Sequence, residues 1–149
     1  MSRIQLALNV DDLDASIAFY TGLFGTPPAK TRPGYANFAV AEPPLKLVLI
    51  ENPGQGGSVN HLGVEVADTT AVETTQVRLA TEGMASTEER DTTCCYARQD
   101  KFWVEGAPDG ERWEVYTVLE DSETFAGEDA ACCTTTAAEA DSTKATACC

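Results

Sequence analysis

The residues best suited to chemistry in this sequence are a single histidine and a set of paired cysteines. His61 is the only histidine in the 149 residues, so any imidazole-based chemistry has to take place there. It begins a run, residues 61–66, that alternates between polar or small residues and apolar ones. This pattern is typical of a strand with one packed face and one face lining a cavity. A lone histidine at a strand end often makes only a local hydrogen bond, so the rest of the chain must decide its role.

The six cysteines all occur as adjacent pairs, at Cys94–Cys95, Cys132–Cys133 and Cys148–Cys149. Adjacent cysteines can bridge each other only through a strained ring, which argues against a disulfide framework. As thiols they form soft-ligand pairs suited to a thiophilic metal or metalloid. The alternative is that the first pair consists of small buried residues and that the later pairs occur by chance in an alanine-rich segment.

Composition excludes several classes of protein. The chain has 24 acidic and 10 basic side chains, and its formal charge of -14 opposes binding to nucleic acid or to anionic lipid. It contains no run of eighteen apolar residues, and its N-terminus lacks the apolar region of a signal peptide. We therefore expect a cytoplasmic protein without a membrane span. The length allows one ordinary domain or two half-domains that share a core.

The elements that must position these residues occur in the same order twice. A strand at 4–10, a helix and three short strands are followed by a second strand, a second helix and three further strands, including one at 90–97. Superposing residues 5–10 on 61–66 places Gln5 over His61, and superposing the last strands of the halves places Val48 over Glu114. Two halves related by a pseudo-twofold axis would bring these four positions together.

The sequence thus predicts an α+β fold of two βαβββ modules, residues 3–51 and 58–119, in one domain that spans 1–120. From 121 to 149 the apolar periodicity disappears, and alanine, threonine and acidic residues predominate. This composition predicts a disordered tail that contains the last two cysteine pairs.

Two motifs carry a resemblance to a known family. Asn60-His61-Leu62-Gly63 and the run Pro-Asp-Gly-Glu-Arg-Trp-Glu-Val-Tyr at 108–116 resemble the metal-bearing strands of the vicinal oxygen chelate superfamily, which includes glyoxalases, bleomycin resistance proteins and extradiol dioxygenases. The resemblance covers residues 3–119. It implies paired modules that form an incomplete barrel around a divalent metal.

The same resemblance implies a set of metal ligands. Glyoxalase-type members carry a carboxylate at the last strand of each half, but Val48 cannot ligate a metal. Three protein ligands then remain, Gln5, His61 and Glu114, and open positions are left for oxygen, water or substrate, as in the oxygen-activating iron enzymes of the superfamily. Gln5 stands where a histidine would complete the usual triad. Because an amide is a weaker donor, it should lower the affinity for the metal.

The segment 92–104 resembles the carbon–arsenic lyase branch of the superfamily, whose relatives include cadmium-induced proteins. This resemblance implies that Cys94 and Cys95 hold a trivalent organoarsenical beside a non-haem Fe(II) site, where dioxygen is used to cleave the carbon–arsenic bond. Methylarsenic carries two exchangeable hydroxyls, which matches two thiolates. Since successive side chains of a strand point to opposite faces, chelation by adjacent cysteines predicts a bulge or loop at this point.

The predicted function is therefore that of an Fe(II)-dependent dioxygenase that releases arsenite from methyl or aryl arsenicals. Gln5, His61 and Glu114 would be its metal ligands and catalytic residues, and Cys94 and Cys95 would bind the substrate. Another divalent metal could replace iron in vitro. The sequence leaves open a homodimer, the accepted organic groups and a substrate-feeding role for the tail cysteines. Side chains that could line or gate the pocket are Tyr116, Phe102, Trp103, Arg98 and Lys101.

Two alternatives come from other functional classes. One is a non-catalytic thiol protein that sequesters cadmium or arsenicals, which the three dithiols favour. The other is a glyoxalase-like metal-dependent isomerase or transferase, which Val48 disfavours.

Overall fold

The structure, a computed structural model, describes residues 2–126. Of the tail predicted to be disordered at 121–149, residues 127–149, which contain both late cysteine pairs, lie outside the described residues, whereas 121–126 are described. In chain order the elements are β1 (Arg3–Val10), α1 (Leu13–Phe24), β2 (Lys30–Arg32), β3 (Tyr35–Val40), β4 (Leu45–Glu51), β5 (Val59–Glu65), α2 (Thr69–Thr81), β6 (Ser86–Cys94), β7 (Ala97–Val104) and β8 (Trp113–Asp121).

Both helices begin at an aspartate that the repeat places in equivalent positions. The Asp12 carboxylate accepts the backbone N–H of Ala15, and the Asp68 carboxylate accepts that of Ala71. These bonds satisfy N–H groups that a helix cannot pair within its first turn. Asp12 and Asp68 therefore fix where each helix starts. None of the helices in the described part of the chain is long and apolar enough to cross a membrane.

The strands form one sheet of eight in the order β2-β3-β4-β1-β5-β8-β7-β6. At its centre, each module's first strand pairs in parallel with its own last strand, β1 with β4 and β5 with β8. The two first strands pair with each other in an antiparallel manner. The predicted α+β fold of two βαβββ modules in an incomplete barrel is confirmed, and the two modules share their sheet within one chain.

The helices cover one face of this sheet and leave the other for the site. Under α1, the core contains Leu13, Phe38 and Leu49, and under α2 it contains Val72 and Phe102. Because side chains alternate along a strand, the residues between the helix-facing ones, such as those at positions 5, 61 and 114, turn to the opposite face. The hydrophobic effect thus buries one face of each strand and so selects which residues line the interior of the barrel.

The adjacent cysteines lie at a hairpin turn and not within a strand. Cys94 ends β6 and Ala97 begins β7, and the two residues between them, Cys95 and Tyr96, have positive φ values of 55° and 60°. Two successive positive φ values characterise the type I′ hairpin turn, which usually takes Asn and Gly. The strand expected around 90–97 instead spans Ser86–Cys94, and the predicted local irregularity at the cysteines is confirmed.

The first residues after the expected end of the domain at 120 pack against this hairpin. The Phe125 ring lies 5.5 Å from the Tyr96 ring and 6.4 Å from the Tyr35 ring, measured between centroids. The Phe125 carbonyl accepts the backbone N–H of Cys95 at 2.7 Å, and Ala126 forms an isolated bridge with Cys94. The segment 122–126 thereby holds the hairpin from one side.

Candidate metal and substrate site

Gln5, His61 and Glu114 converge at the centre of the sheet. In the strand register, Gly63 pairs with Gln5 on one side and with Glu114 on the other, so the three strands β1, β5 and β8 lie side by side there. Gln5 Nε2 is 2.9 Å from both His61 Nε2 and Glu114 Oε1, and the latter two atoms are 3.4 Å apart. All three side chains are buried. The structure thus brings together the three residues that the repeat and the resemblance singled out.

The orientation of the His61 ring leaves Nε2 free to bind a metal. His61 Nδ1 lies 2.8 Å from Asn60 Oδ1, which can only accept, so the proton is on Nδ1. Asn60 is itself held, because its Nδ2 donates to Asn9 Oδ1 at 2.9 Å. The lone pair on Nε2 therefore points toward Gln5 and Glu114. Metal-binding histidines are commonly oriented through their second nitrogen in this way.

A buried lysine keeps Glu114 ionised. Burial alone would raise the pKa of Glu114, but the ammonium of Lys101, 3.2 Å from Oε2, holds the pKa well below its ordinary value. Lys101 is fully buried; its Nζ also lies 3.6 Å from Glu89 Oε2 and 4.7 Å from the centroid of the Trp103 ring. Glu114 therefore presents a carboxylate, the form that a metal requires.

Tyr116 fixes the amide of Gln5. Its hydroxyl donates to Gln5 Oε1 at 2.6 Å and also lies 2.9 Å from Glu65 Oε2. Burial, and next the charge of Glu65, raise the pKa of Tyr116, so the hydroxyl keeps its proton. With Oε1 held in this way, the Gln5 NH₂ group faces His61 Nε2 and Glu114 Oε1. It donates between two acceptors, in the place that a cation would take.

These residues fit a divalent metal, provided that the amide rotates. Half a turn about the last side-chain bond would present Gln5 Oε1 to the metal and would bring the NH₂ group to the Tyr116 hydroxyl oxygen, which can accept it. Among the described residues there is no group of three His, Cys, Asp or Glu side chains that could hold a metal ion. A metal held by His61 and Glu114 therefore depends on Gln5 for its third protein ligand.

Gly63 provides the space in which these side chains meet. A Cβ atom on Gly63 would lie 3.2 Å from Gln5 Cβ, from Glu114 Cγ and from Tyr116 Cε1.

We expect Gly63→Ala to displace these three side chains, to lower metal affinity about 10-fold and to destabilise the fold by about 1–3 kcal/mol. Metal titration and urea unfolding measure the two effects. As a control, Gly22→Ala on α1 meets no atom within 4 Å and should raise stability. Unchanged metal affinity in Gly63→Ala would contradict the tight fit.

One cavity connects the central residues with the cysteine hairpin. It has a volume of about 230 Å³, and its lining includes Gln5 and Glu114 at one side and Cys95 at another. His61 and Cys94 are both buried, each with 2 % of its surface exposed. The wall of this cavity thus includes Cys95, Gln5 and Glu114, whereas His61 and Cys94 lie behind it.

The turn places both cysteine sulfurs on one side of the hairpin. Their Sγ atoms are 3.2 Å apart. Cys94 is disulfide-bonded in this structure, so the two sulfurs are placed to bind one atom only once that bond is reduced. Cys95 packs against the cluster that contains Tyr35, Val48 and Tyr96. The Cys94 carbonyl accepts from the buried Gln99 Nε2 at 3.0 Å, which anchors the other end of the turn. The positive φ of Cys95 and Tyr96 costs backbone energy, and such strain is characteristic of functional turns.

The structure divides the residues that were expected to line or gate the pocket. Lys101 and Tyr116 contact Glu114 and Gln5 directly, and the Trp103 ring lies edge-on to the His61 ring at 5.7 Å. The other two lie elsewhere: Phe102 packs beneath α2, and Arg98 forms surface ion pairs with Asp91 and Glu120. Sequence reasoning missed the cavity-lining residues Tyr35, Asn37 and Lys46, although the alternation along β3 was a signal for the first two.

The fold and site define a class of protein in which two βαβββ modules enclose a small polar site inside a curved sheet. A model of the Glyoxalase/Bleomycin resistance protein/Dioxygenase superfamily matches residues 3–115, and the chain belongs to this superfamily. An extradiol ring-cleaving dioxygenase from B. fuscum shares the fold, with a TM-score of 0.56 and 20 % sequence identity over 80 % of this chain and 33 % of that one.

Two closer relatives are similar over most of their length. A trivalent organoarsenical cleaving enzyme of Thermomonospora curvata is 62 % identical over 136 residues, which cover 90 % of this chain and 89 % of the relative. The cadmium-induced protein CadI of Mycobacterium tuberculosis is 65 % identical over 125 residues, which cover 84 % of this chain and 82 % of the relative.

Proposed function

We propose that this protein is an Fe(II)-dependent dioxygenase that cleaves the carbon–arsenic bond of trivalent organoarsenicals, in the reducing environment of the cytoplasm. The observation that carries the proposal is a cavity lined both by Cys95 of the hairpin and by Gln5 and Glu114, which lie beside the buried His61. A thiophilic substrate held at Cys94 and Cys95 would extend its organic group toward Glu114. The name of the relative from Thermomonospora curvata supports the same substrate class.

Substrate binding uses ordinary thiol chemistry. Methylarsonous acid carries one methyl group and two hydroxyl groups on arsenic. When Cys94 and Cys95 bind, two As–S bonds form, two As–O bonds break, and the two thiol protons leave with the hydroxyls as water. Arsenic then retains only its organic group, and the sulfurs of the turn direct that group into the cavity. Binding is thus balanced without any oxidant and needs only reduced cysteines.

The overall reaction is also balanced. Methylarsonous acid and one dioxygen molecule give arsenous acid and formaldehyde, in which the carbon has been oxidised at the expense of oxygen. For an aryl group the phenol product needs two further electrons, which a thiol reductant supplies. A ferrous ion held by Gln5, His61 and Glu114 would activate dioxygen next to the organic group.

The residues of the chain position and protect the reactants. Lys101 keeps Glu114 ionised, Asn60 fixes the tautomer of His61, and Tyr116 orients Gln5. Burial of the cluster excludes bulk water from the reacting groups, and the hairpin holds arsenic at a fixed place relative to them. Positioning of this kind supplies a large part of catalysis in two-substrate reactions.

The direct test is turnover of the reduced protein, loaded anaerobically with Fe(II) and then mixed with oxygen and methylarsonous acid. We expect oxygen uptake and arsenite release in equal amounts, with formaldehyde as the second product. His61→Ala should abolish the turnover and retain arsenical binding. Arsenite release no greater than in the metal-free protein would overturn the proposal.

The alternative functions give different results in the same experiment. A protein that sequesters arsenicals or cadmium would bind one equivalent at the hairpin without consuming oxygen. A glyoxalase-like isomerase or transferase would act on a thiol adduct in the absence of oxygen. The name of the CadI relative says only that cadmium induces that protein and does not decide between the alternatives. The His61–Glu114–Gln5 cluster, for which pure sequestration has no need, favours an enzyme.

A further inference from the structure

The part of the cavity wall that β3 provides carries a polar pair that the proposed chemistry does not use. Tyr35 and Asn37 lie on β3 and alternate toward the cavity, which both of them line. Tyr35 has 1 % of its surface exposed and Asn37 has 9 %. Asn37 Nδ2 donates to the Tyr35 hydroxyl oxygen at 2.9 Å. This hydrogen bond holds the two side chains together in the cavity wall, next to apolar residues.

Each member of this pair keeps one hydrogen-bonding group unused. The Tyr35 hydroxyl accepts from Asn37, and its own proton makes no hydrogen bond to any residue that the structure describes. Within residues 2–126, no group donates to Asn37 Oδ1 either. The cavity thus receives one O–H donor and one carbonyl acceptor from neighbouring positions. Asn37 Oδ1 is not among the fully enclosed atoms without a partner, so it is open to the cavity that both residues line. A ligand with the complementary groups would pair there with Asn37 Oδ1 and with the Tyr35 hydroxyl.

The charges around Tyr35 keep it a donor. Burial, and next the nearby Cys95 and then Glu114, raise the pKa of the Tyr35 hydroxyl, although the hydrogen bond from Asn37 opposes this shift. The hydroxyl therefore retains its proton near neutral pH. Its ring stays in place because it packs against the Tyr96 ring at 5.4 Å.

The pair lies where the organic group of a bound arsenical would extend. Cys95 packs against the same cluster as Tyr35 and Val48, and Val48 is the strand partner of Asn37. Tyr35, Val48 and the nearby Ala97 give the cavity apolar surface for a ring, and the polar pair lies at the edge of that surface. A side chain no larger than valine at position 48 leaves space that a metal-binding carboxylate would fill.

We propose that Tyr35 and Asn37 form a subsite for arylarsenicals that carry a ring hydroxyl. A phenolic hydroxyl accepts from the Tyr35 O–H and donates to Asn37 Oδ1, and so it satisfies both groups at once. A methyl or an unsubstituted phenyl group satisfies neither. This inference rests on the proposed binding of arsenic by Cys94 and Cys95, and it names the substituent that the cavity prefers.

The test compares the binding of phenylarsonous acid with that of its 3-hydroxy and 4-hydroxy derivatives to the reduced full-length protein. Tryptophan fluorescence can follow binding, since Trp103 lies beside His61. We expect one hydroxy isomer to bind about 10-fold more tightly than the unsubstituted compound, because it forms two additional hydrogen bonds in a buried site. Tyr35→Phe and Asn37→Ala should each remove most of this preference and leave the affinity for phenylarsonous acid nearly unchanged.

Tyr20→Phe is the matched control, because the Tyr20 ring packs against Phe38 beneath α1, away from the cavity, and the preference should persist in it. Equal affinities for the three compounds in the unmodified protein would overturn the subsite and leave the proposed function intact. A preference that survives in both Tyr35→Phe and Asn37→Ala would also overturn it. If the unmodified reduced protein does not bind phenylarsonous acid through Cys94 and Cys95, the proposed function is overturned together with the subsite.

Discussion

Lys101→Met is expected to lower the free energy of unfolding of the metal-free protein by about 3–5 kcal/mol near neutral pH, the range for breaking a buried ion pair by removal of one partner. Methionine fills nearly the same volume, so the loss would arise mainly from charge. The Lys101 ammonium now lies between the carboxylates of Glu114 and Glu89. Without it, the two carboxylates have no cation between them and repel each other. Glu114 is the more costly of the two because it is the more deeply buried.

The sign of the pH dependence follows from the pKa of Glu114. In the native protein this pKa lies below its ordinary value, so ionised Glu114 contributes stability at higher pH, and the contribution disappears as pH falls. In Lys101→Met, burial raises the pKa of Glu114, so the folded protein binds a proton more tightly than the unfolded chain does. The stability deficit of the variant is therefore greatest at about pH 8 and shrinks toward about pH 5.

Urea unfolding at the two pH values measures this effect. Arg98→Met on the same strand is the control, because Arg98 pairs with its partners at the surface, where ion pairs contribute little. A divalent cation bound beside Glu114 would restore part of the lost stability, so metal should stabilise Lys101→Met more than the unmodified protein. A deficit of equal size at both pH values would show that packing and not charge is responsible.

The sequence was sufficient to predict the centre of the molecule. Alternation along 5–10 and 61–66 identifies which residues face the cavity, and the internal repeat identifies which strands become neighbours. Those two facts bring Gln5, His61 and Glu114 together before any coordinates are known. They hold because apolar side chains must be buried under the helices, which leaves no other choice of face for the polar ones.

The support around that centre could not be predicted in the same way. A lysine in a strand normally faces solvent, and Lys101 reaches Glu114 only through the register of β7 against β8, which shifts between Arg98 and Gln99. No residue type in the sequence marks that irregularity. The irregularity at the cysteines was predicted from their chemistry, but its form as a two-residue hairpin turn at Cys95 and Tyr96 was not, since neither residue is a glycine or asparagine. Local rules commonly fail at strained functional sites of this kind.

Cys95→Ser is expected to weaken the binding of methylarsonous acid by about 10²- to 10⁴-fold, the usual gain from closing a second bond within one molecule. The two sulfurs lie 3.2 Å apart at the turn, so once one As–S bond has formed the second thiolate is already in place. Serine keeps the size of the side chain but replaces a soft sulfur by a hard oxygen. Trivalent arsenic binds such an oxygen no more strongly than it binds water, so the second bond is lost. Cys94→Ser should have an effect of similar size.

The same variants should leave metal affinity almost unchanged, because the contacts described for the cysteines are with each other, with Phe125 and with the Tyr35 cluster. Calorimetric titration with methylarsonous acid and, separately, with Fe(II) under anaerobic conditions measures both affinities on one protein sample. A Cys132→Ser/Cys133→Ser double variant, at positions outside the described residues, is the control and should retain tight binding of arsenic.

If Cys95→Ser loses metal and arsenical affinity in parallel, the hairpin and the central cluster do not act as separate binding groups. The assignment of arsenic to the hairpin and of metal to the cluster is then wrong. If only arsenical affinity is lost, the hairpin binds the arsenical and the central cluster binds the metal as separate groups, as proposed.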